Sequence, residues 1–260
     1  MVHLMNKPKI LLIVEGNDDK RLYQKLGKVL SFECEIFSVN ANIHMLYKKI
    51  KSENFNINIV EFLKTLNGVS ENDKNILIKE KKFAYIYLIF DYDPQHYNIS
   101  KNKNIKRGID ELVEMVNYFN NETDPTIGKI YINYPMYESF FDIDINDFSS
   151  LKERYIYVNE CSNYKNIINN RGIKTGIEKL NSKDLIELIF ANINKASSIV
   201  GRGYILLDYK DYLNYLSQEN ILKYEIKSII SEYKILTLYT GAFLFIDYFG
   251  KDFYKKDRNF

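Results

Sequence analysis

At 260 residues, with 46% hydrophobic and 27% charged side chains, the chain suits one large domain or a domain with an appendage. Its net charge of +2 excludes a global basic field, leaving at most a local positive groove for a polyanion, because phosphate affinity needs clustered Lys and Arg. Cys34 and Cys161 lie far apart and form no CxxC pair, and no stretch reads as a signal peptide or as a bilayer span, so a cytoplasmic protein with reduced thiols and no membrane contact is expected.

In chain order, "ILLIV" (10–14) is a short continuous apolar run, as expected of a strand covered on both faces. "DDKRLYQKLGKVL" follows with Leu22, Leu26, Val29 and Leu30 at helical spacing. "CEIFSV" (34–39) predicts a second strand and "NIHMLYKKIK" (42–51) a second helix; strand alternating with helix points to an α/β layer with a mainly parallel sheet. Residues 52–82 read as a polar helical insertion. "FAYIYLIF" (83–90) is the predicted central strand, "IDELVEMVNYF" (109–119) an amphipathic helix, and "KIYINYP" (129–135) a strand stopped by Pro135. Beyond about residue 160 the pattern turns helical, through "SKDLIELIFANINKASSIV" and "YKDYLNYLSQENILKYEIKSIISEY" to "ILTLYTGAFLFIDYFG", which reads as a core helix.

The chemistry is carried by acids at strand ends, where open parallel sheets bind ligands. Glu15 directly follows the first predicted strand, Asp91 and Asp93 close the central one, and Glu138 in "YPMYES" follows a further strand at the same edge. Asp19 comes four residues after Glu15, so one helical turn faces it back. Two carboxylates about 5 Å apart repel by roughly 3 kcal/mol at an effective dielectric near 20. A divalent cation removes that cost, and oxygen-only donors select Mg2+, Mn2+ or Ca2+ over zinc. Gly16 is expected to let the backbone turn closely after Glu15. The same residues also have a local explanation: an Asp-x-Asp at a strand end makes a turn or cap, and Asp18 and Asp19 suit a helix N-terminus.

Glutamate-glycine after a first strand in "VEGNDD", followed by Asp-x-Asp in "IFDYDP", resembles the TOPRIM superfamily, with Asp19 at the position of a second acid in many nuclease members. "INYPMYESF" is similar to TOPRIM proteins of bacterial anti-phage systems, including OLD-type nucleases and the effector of PARIS-type defence. The resemblance covers roughly residues 8–145. It implies a TOPRIM-like catalytic domain over 1–160, with the insertion near 52–82, and a helical region over 161–260. It further implies Mg2+ or Mn2+ held by Glu15, Asp19, Asp91, Asp93 and Glu138, and cleavage of DNA or of RNA such as tRNA in abortive infection. The catalytic set would be Glu15, Asp91 and Asp93, with Lys129 as a candidate for stabilising transition-state charge, and an ATPase subunit is the implied partner. Glu15 could instead act as general acid or base. Rival expectations are a metal-binding TOPRIM module that does not cut and a receiver-like phosphate-accepting domain. Against the receiver, Glu15 is followed by Gly16 rather than by another acid, and no Lys-Pro closes a later strand.

His3, His44 and His96 show no metal-ligand spacing, "GIKTG" (172–176) lacks the phosphate-loop order and "GRGY" (201–204) reads as a glycine turn. The tail carries Lys251, Lys255, Lys256 and Arg258 among acids, a solvated end. The apolar stripes after residue 160 either complete the core or dock a second copy, as a homodimer, or the ATPase partner.

Overall fold

The structure, a computed structural model, describes residues 9–66, 70–79, 83–94, 105–173 and 177–258. His3 and His96 lie outside the described residues, as do the last three residues of the "GIKTG" segment and the side chains of Lys255, Lys256 and Arg258. The chain divides into two compact units, one reaching to Ile89 and adding Tyr118–Ile130, the other formed by Phe90–Asn117 and the chain from Tyr131 onward.

In the first unit, β1 (Ile10–Val14) is buried at every position, as its unbroken apolar run demands. Helix α1 (Asn17–Leu30) buries Leu22, Tyr23, Leu26 and Leu30 along one stripe. Strand β2 (Glu35–Ser38) and helix α2 (Ile43–Ser52) follow, the helix capped by Asn42, whose side chain accepts from the Met45 amide. Helices α3 (Ile59–Lys64) and α4 (Glu71–Lys79) occupy part of the polar segment after α2, and α4 is tied to α1 by a 2.7 Å ion pair between Lys20 and Asp73. Strands β3 (Tyr85–Asp91), β4 (Asn120–Asn121) and β5 (Gly128–Asn133) complete a sheet of order β2-β1-β3-β5-β4. β1 runs parallel to both β2 and β3, with Val14 paired to Ser38 and to Ile89, while the short β4 is antiparallel to β5. The α/β expectation therefore holds as a mostly parallel sheet flanked by helices. Gly128 opens β5 at φ +87, where a Cβ would lie 2.8 Å from the Ile86 carbonyl oxygen, so only glycine lets β5 begin there.

The second unit takes the last residues of β3 and β5 and the helix α5 (Ile105–Tyr118) up to Asn117. It adds a two-stranded antiparallel ribbon of β6 (Tyr155–Tyr157) and β7 (Lys234–Leu236), together with α6 (Tyr164–Arg171), α7 (Ser182–Ile199), α8 (Tyr209–Tyr215), α9 (Gln218–Glu232) and α10 (Phe243–Phe249). One sequence expectation fails here. The stretch "ILTLYTGAFLFIDYFG" is not one core helix: it starts in β7, Leu238 then exchanges both backbone hydrogen bonds with Tyr134, and only Phe243–Phe249 is α-helical. Those external partners satisfy the backbone groups that a helix would satisfy internally. The run from Tyr209 to Tyr233 is two helices, because Ser217 restarts it with its hydroxyl accepting from the Asn220 amide.

The apolar stripes of this region are buried. Leu185, Leu188, Ile189 and Ile193 of α7 and Phe243, Leu244, Phe245 and Ile246 of α10 are core residues, so these stripes offer no open face to a second copy. No helix among the described residues is long and apolar enough to cross a membrane. Both cysteines are free thiols, Cys34 partly exposed and Cys161 buried. Gly201 and Gly203 take positive φ in a turn, as expected of "GRGY". His44 is a buried residue of α2.

Candidate functional site

The first unit positions Glu15, Gly16 and Asp19. The β1 ladder runs on one residue past the strand, since the amides of Val39 and Asn40 donate to the carbonyls of Val14 and Glu15 at 2.9 Å each. Glu15 is thus fixed by its backbone where β1 ends, with a side chain that keeps partial exposure. Gly16 is the N-cap of α1 in extended conformation, φ −139, and a Cβ there would meet nothing nearer than 3.9 Å. Gly16 thus allows the turn after Glu15 without being required by it, since any residue adopts this backbone. Asp19, only 5% exposed, turns one carboxylate oxygen back to the Gly16 amide at 3.2 Å, the local capping role that the sequence left open. Asp18 lies outside on the helix surface, 3.5 Å from Arg21.

The second unit brings Asp93 and Glu138 each within electrostatic range of Asp91. Beyond β3 the backbone keeps pace with β5: the Tyr92 amide donates to Asn133 at 3.0 Å, and the Asp93 amide reaches the Pro135 carbonyl at 3.4 Å. Asp93 adopts φ +45, the left-handed region in which Asp is tolerated better than most residues. The peptide between Tyr134 and Pro135 is cis, and a 3-10 turn at Tyr137–Phe141 follows.

Asn133 organises this acid group. Fully buried at the end of β5, it donates from Nδ2 to Asp91 Oδ1 at 3.2 Å, while its own Oδ1 accepts the Gly241 amide at 3.2 Å. The Tyr137 backbone makes a second hydrogen bond to Asp91. Both bonds favour the carboxylate, yet burial outweighs them, and the charges of Glu138 and Asp93 add to it. Together they push the Asp91 carboxyl up to about 7. Glu138 meets the ammonium of Lys165 on α6 at 2.9 Å. The negative field reaches Cys161 as well, whose thiol is pushed up to about 12, first by burial and then by Glu160 and Asp93.

Among the described residues, no three His, Cys, Asp or Glu side chains are drawn close enough to cage a metal ion as they stand. The donor chemistry nevertheless fits a hard divalent ion: the acids are oxygen donors, Asp91 is raised first by burial and then by the charges of Glu138 and Asp93, and a cation, the Lys165 ammonium, already sits on Glu138. Lys129 stands at the start of β5, 3.9 Å from Glu122 in a partly exposed ion pair, at the opposite end of that strand from Asn133.

Sequence reasoning missed Asn133 and Lys165. Asn133 carried a signal, a lone amide inside the apolar strand "IYINY", since a buried polar group must have a partner. Lys165 carried none. Compared with family models, with curated proteins and with solved structures, the chain has no match in any of the three.

Proposed function

We propose that the chain is a Mg2+- or Mn2+-dependent nuclease of TOPRIM type, cleaving phosphodiester bonds in DNA or in structured RNA such as tRNA as an effector of bacterial anti-phage defence. The observation that carries this reading is the acid group of Asp91, Asp93 and Glu138, in which burial first and the neighbouring charges second raise Asp91 to about 7, and in which Glu138 is already paired with a cation. The parallel register of β1 with β3, pairing Val14 with Ile89, adds support, because Glu15 directly follows the first of these paired positions. Glu15, Asp19, Asp91, Asp93 and Glu138 would hold the metal. A bound Mg2+ polarises a phosphoryl oxygen and lowers the pKa of its water. Asn133 fixes the orientation of Asp91, and its amide, having no acid proton, holds that carboxylate without competing for charge. Lys129, paired with Glu122, has no part in the proposed chemistry.

The test is cleavage of labelled DNA and tRNA by purified protein with Mg2+, Mn2+ or EDTA. Wild type should cut only with metal. Glu15→Ala should lose more than about 100-fold, since even outer partners of a metal are worth roughly 10- to 100-fold. Equal behaviour of wild type and variant on every substrate would overturn the nuclease reading. A second reading, a metal-binding module that does not cut, draws on the capping role of Asp19, which occupies one of its oxygens. It predicts metal binding without turnover even with the partner ATPase present.

A further inference from the structure

We infer that residues 236–241 form a strap within the second unit, anchored by Glu225 in its neutral form and loosened from the acid group when that carboxyl ionises. The strap is tied down by buried side chains of three elements. The Leu236 amide donates to Glu225 Oε2 on α9 at 3.0 Å, and the Tyr239 amide to Asn192 Oδ1 on α7 at 2.8 Å. The Gly241 amide donates to Asn133 Oδ1 at the end of β5, and the Thr240 hydroxyl to the Ile132 carbonyl at 2.8 Å. Between these anchors Leu238 exchanges backbone hydrogen bonds with Tyr134. Glu225, Asn192 and Asn133 are all fully buried. Asn133 is also the donor to Asp91, so one short segment links α9 to the acid group.

Of the three side-chain anchors, only Glu225 can change its charge. Its Oε2 takes the Leu236 amide, but among the described residues nothing donates to its Oε1. The titratable groups that act on it are Lys195 of α7, Tyr134 just beyond β5 and Tyr92 just beyond β3. Lys195 commits its ammonium to the carbonyls of Lys152 and Arg154, at 2.5 and 2.9 Å, and offsets Glu225 only as a nearby charge. A carboxylate so enclosed is costly, and burial raises the Glu225 carboxyl well above its ordinary 4.5. The closed strap therefore keeps a proton that an opened, hydrated Glu225 gives up. Closure is strongest below pH 4.5 and weakens as pH rises toward the raised value. Lys195 works in the opposite sense, since burial pushes it down from 10.5 to about 8, but only above pH 8.

The experiment is hydrogen exchange of the Leu236, Leu238, Tyr239 and Gly241 amides between about pH 5 and 8, corrected for the intrinsic pH dependence of exchange. Wild type is compared with Glu225→Gln, which keeps the shape and the acceptor for Leu236 without the titration. Asp91 titrates alike in both proteins, so the ratio of wild type to variant isolates Glu225. In wild type, protection of all four amides should fall together relative to the variant, by up to about tenfold per pH unit. A ratio that does not change with pH, or a fall confined to Leu236, would overturn the strap. If Glu225→Gln does not fold, the β1 amides of wild type serve as the reference. The strap amides must then lose protection more steeply than those of β1, and an equal fall overturns the inference. Either result leaves the nuclease reading to the cleavage assay.

Discussion

Asn133 is the residue on which the acid group turns. It donates to Asp91 and accepts from Gly241, so Asn133→Ala takes one hydrogen bond from a carboxylate and one from a buried amide. The expected cost is about 2–4 kcal/mol for the loss of one charge-assisted and one neutral hydrogen bond, measured as a fall in urea midpoint. Asp91 gives a sign-definite pH effect. Its folded pKa of about 7 lies above the ordinary 3.8, so between those values the folded state holds a proton that the unfolded state has released. In EDTA, the contribution of this carboxyl to stability is therefore full below pH 4 and is lost as pH rises to 7, by at most about 4 kcal/mol. Glu225, also raised far above its ordinary value by burial, acts in the same direction, so the difference between wild type and Asp91→Asn isolates Asp91. Parallel stability–pH curves for the two proteins would show that the Asp91 carboxyl is not raised on folding. The acids themselves were legible in the sequence because strand ends are where a parallel sheet gathers ligands. What each acid does was not, since Asp19 as a cap and Asp19 as a ligand share one spelling.

At the scale of elements, the turn that carries Glu138 and the helix that carries Lys165 are held together by Asp142. This fully buried carboxylate accepts from Arg171 and from the Tyr164 hydroxyl and lies beside Arg154. Asp142→Ala leaves the half-buried Arg171 guanidinium without its carboxylate. A broken buried pair of this kind costs about 3–5 kcal/mol, to be read from the melting transition; a change below about 1 kcal/mol would show the clamp to be solvated. The same comparison explains which elements the sequence disclosed. β1, α1 and α7 announce themselves by an unbroken apolar run or a helical stripe. β7 and the bridge from Leu238 to Tyr134 do not, because an apolar run of that length is equally a helix until its distant backbone partners are known. The short ribbon strand β6 was not among the expected strands, and its pairs with β7 lie 77 to 81 positions apart, from Tyr157 with Lys234 to Tyr155 with Leu236. No local pattern records such a partner.

For the whole molecule, each of the two compact units carries its own acids, and each supplies a separate check. A ligand that binds the folded chain stabilises it by mass action, so Mg2+ should raise the melting temperature of wild type more than that of Asp91→Asn or Asp93→Asn. Equal shifts in all three would make those aspartates turn residues only. The most direct measurement of the central claim is the mapping of broken nucleic-acid ends in cells that express wild type, Glu15→Ala or Asp91→Asn during phage challenge, with the purified proteins assayed in parallel. The account predicts new DNA or tRNA ends and reduced phage yield with wild type, and neither with either variant. Identical end maps and identical phage yields for all three proteins would contradict it.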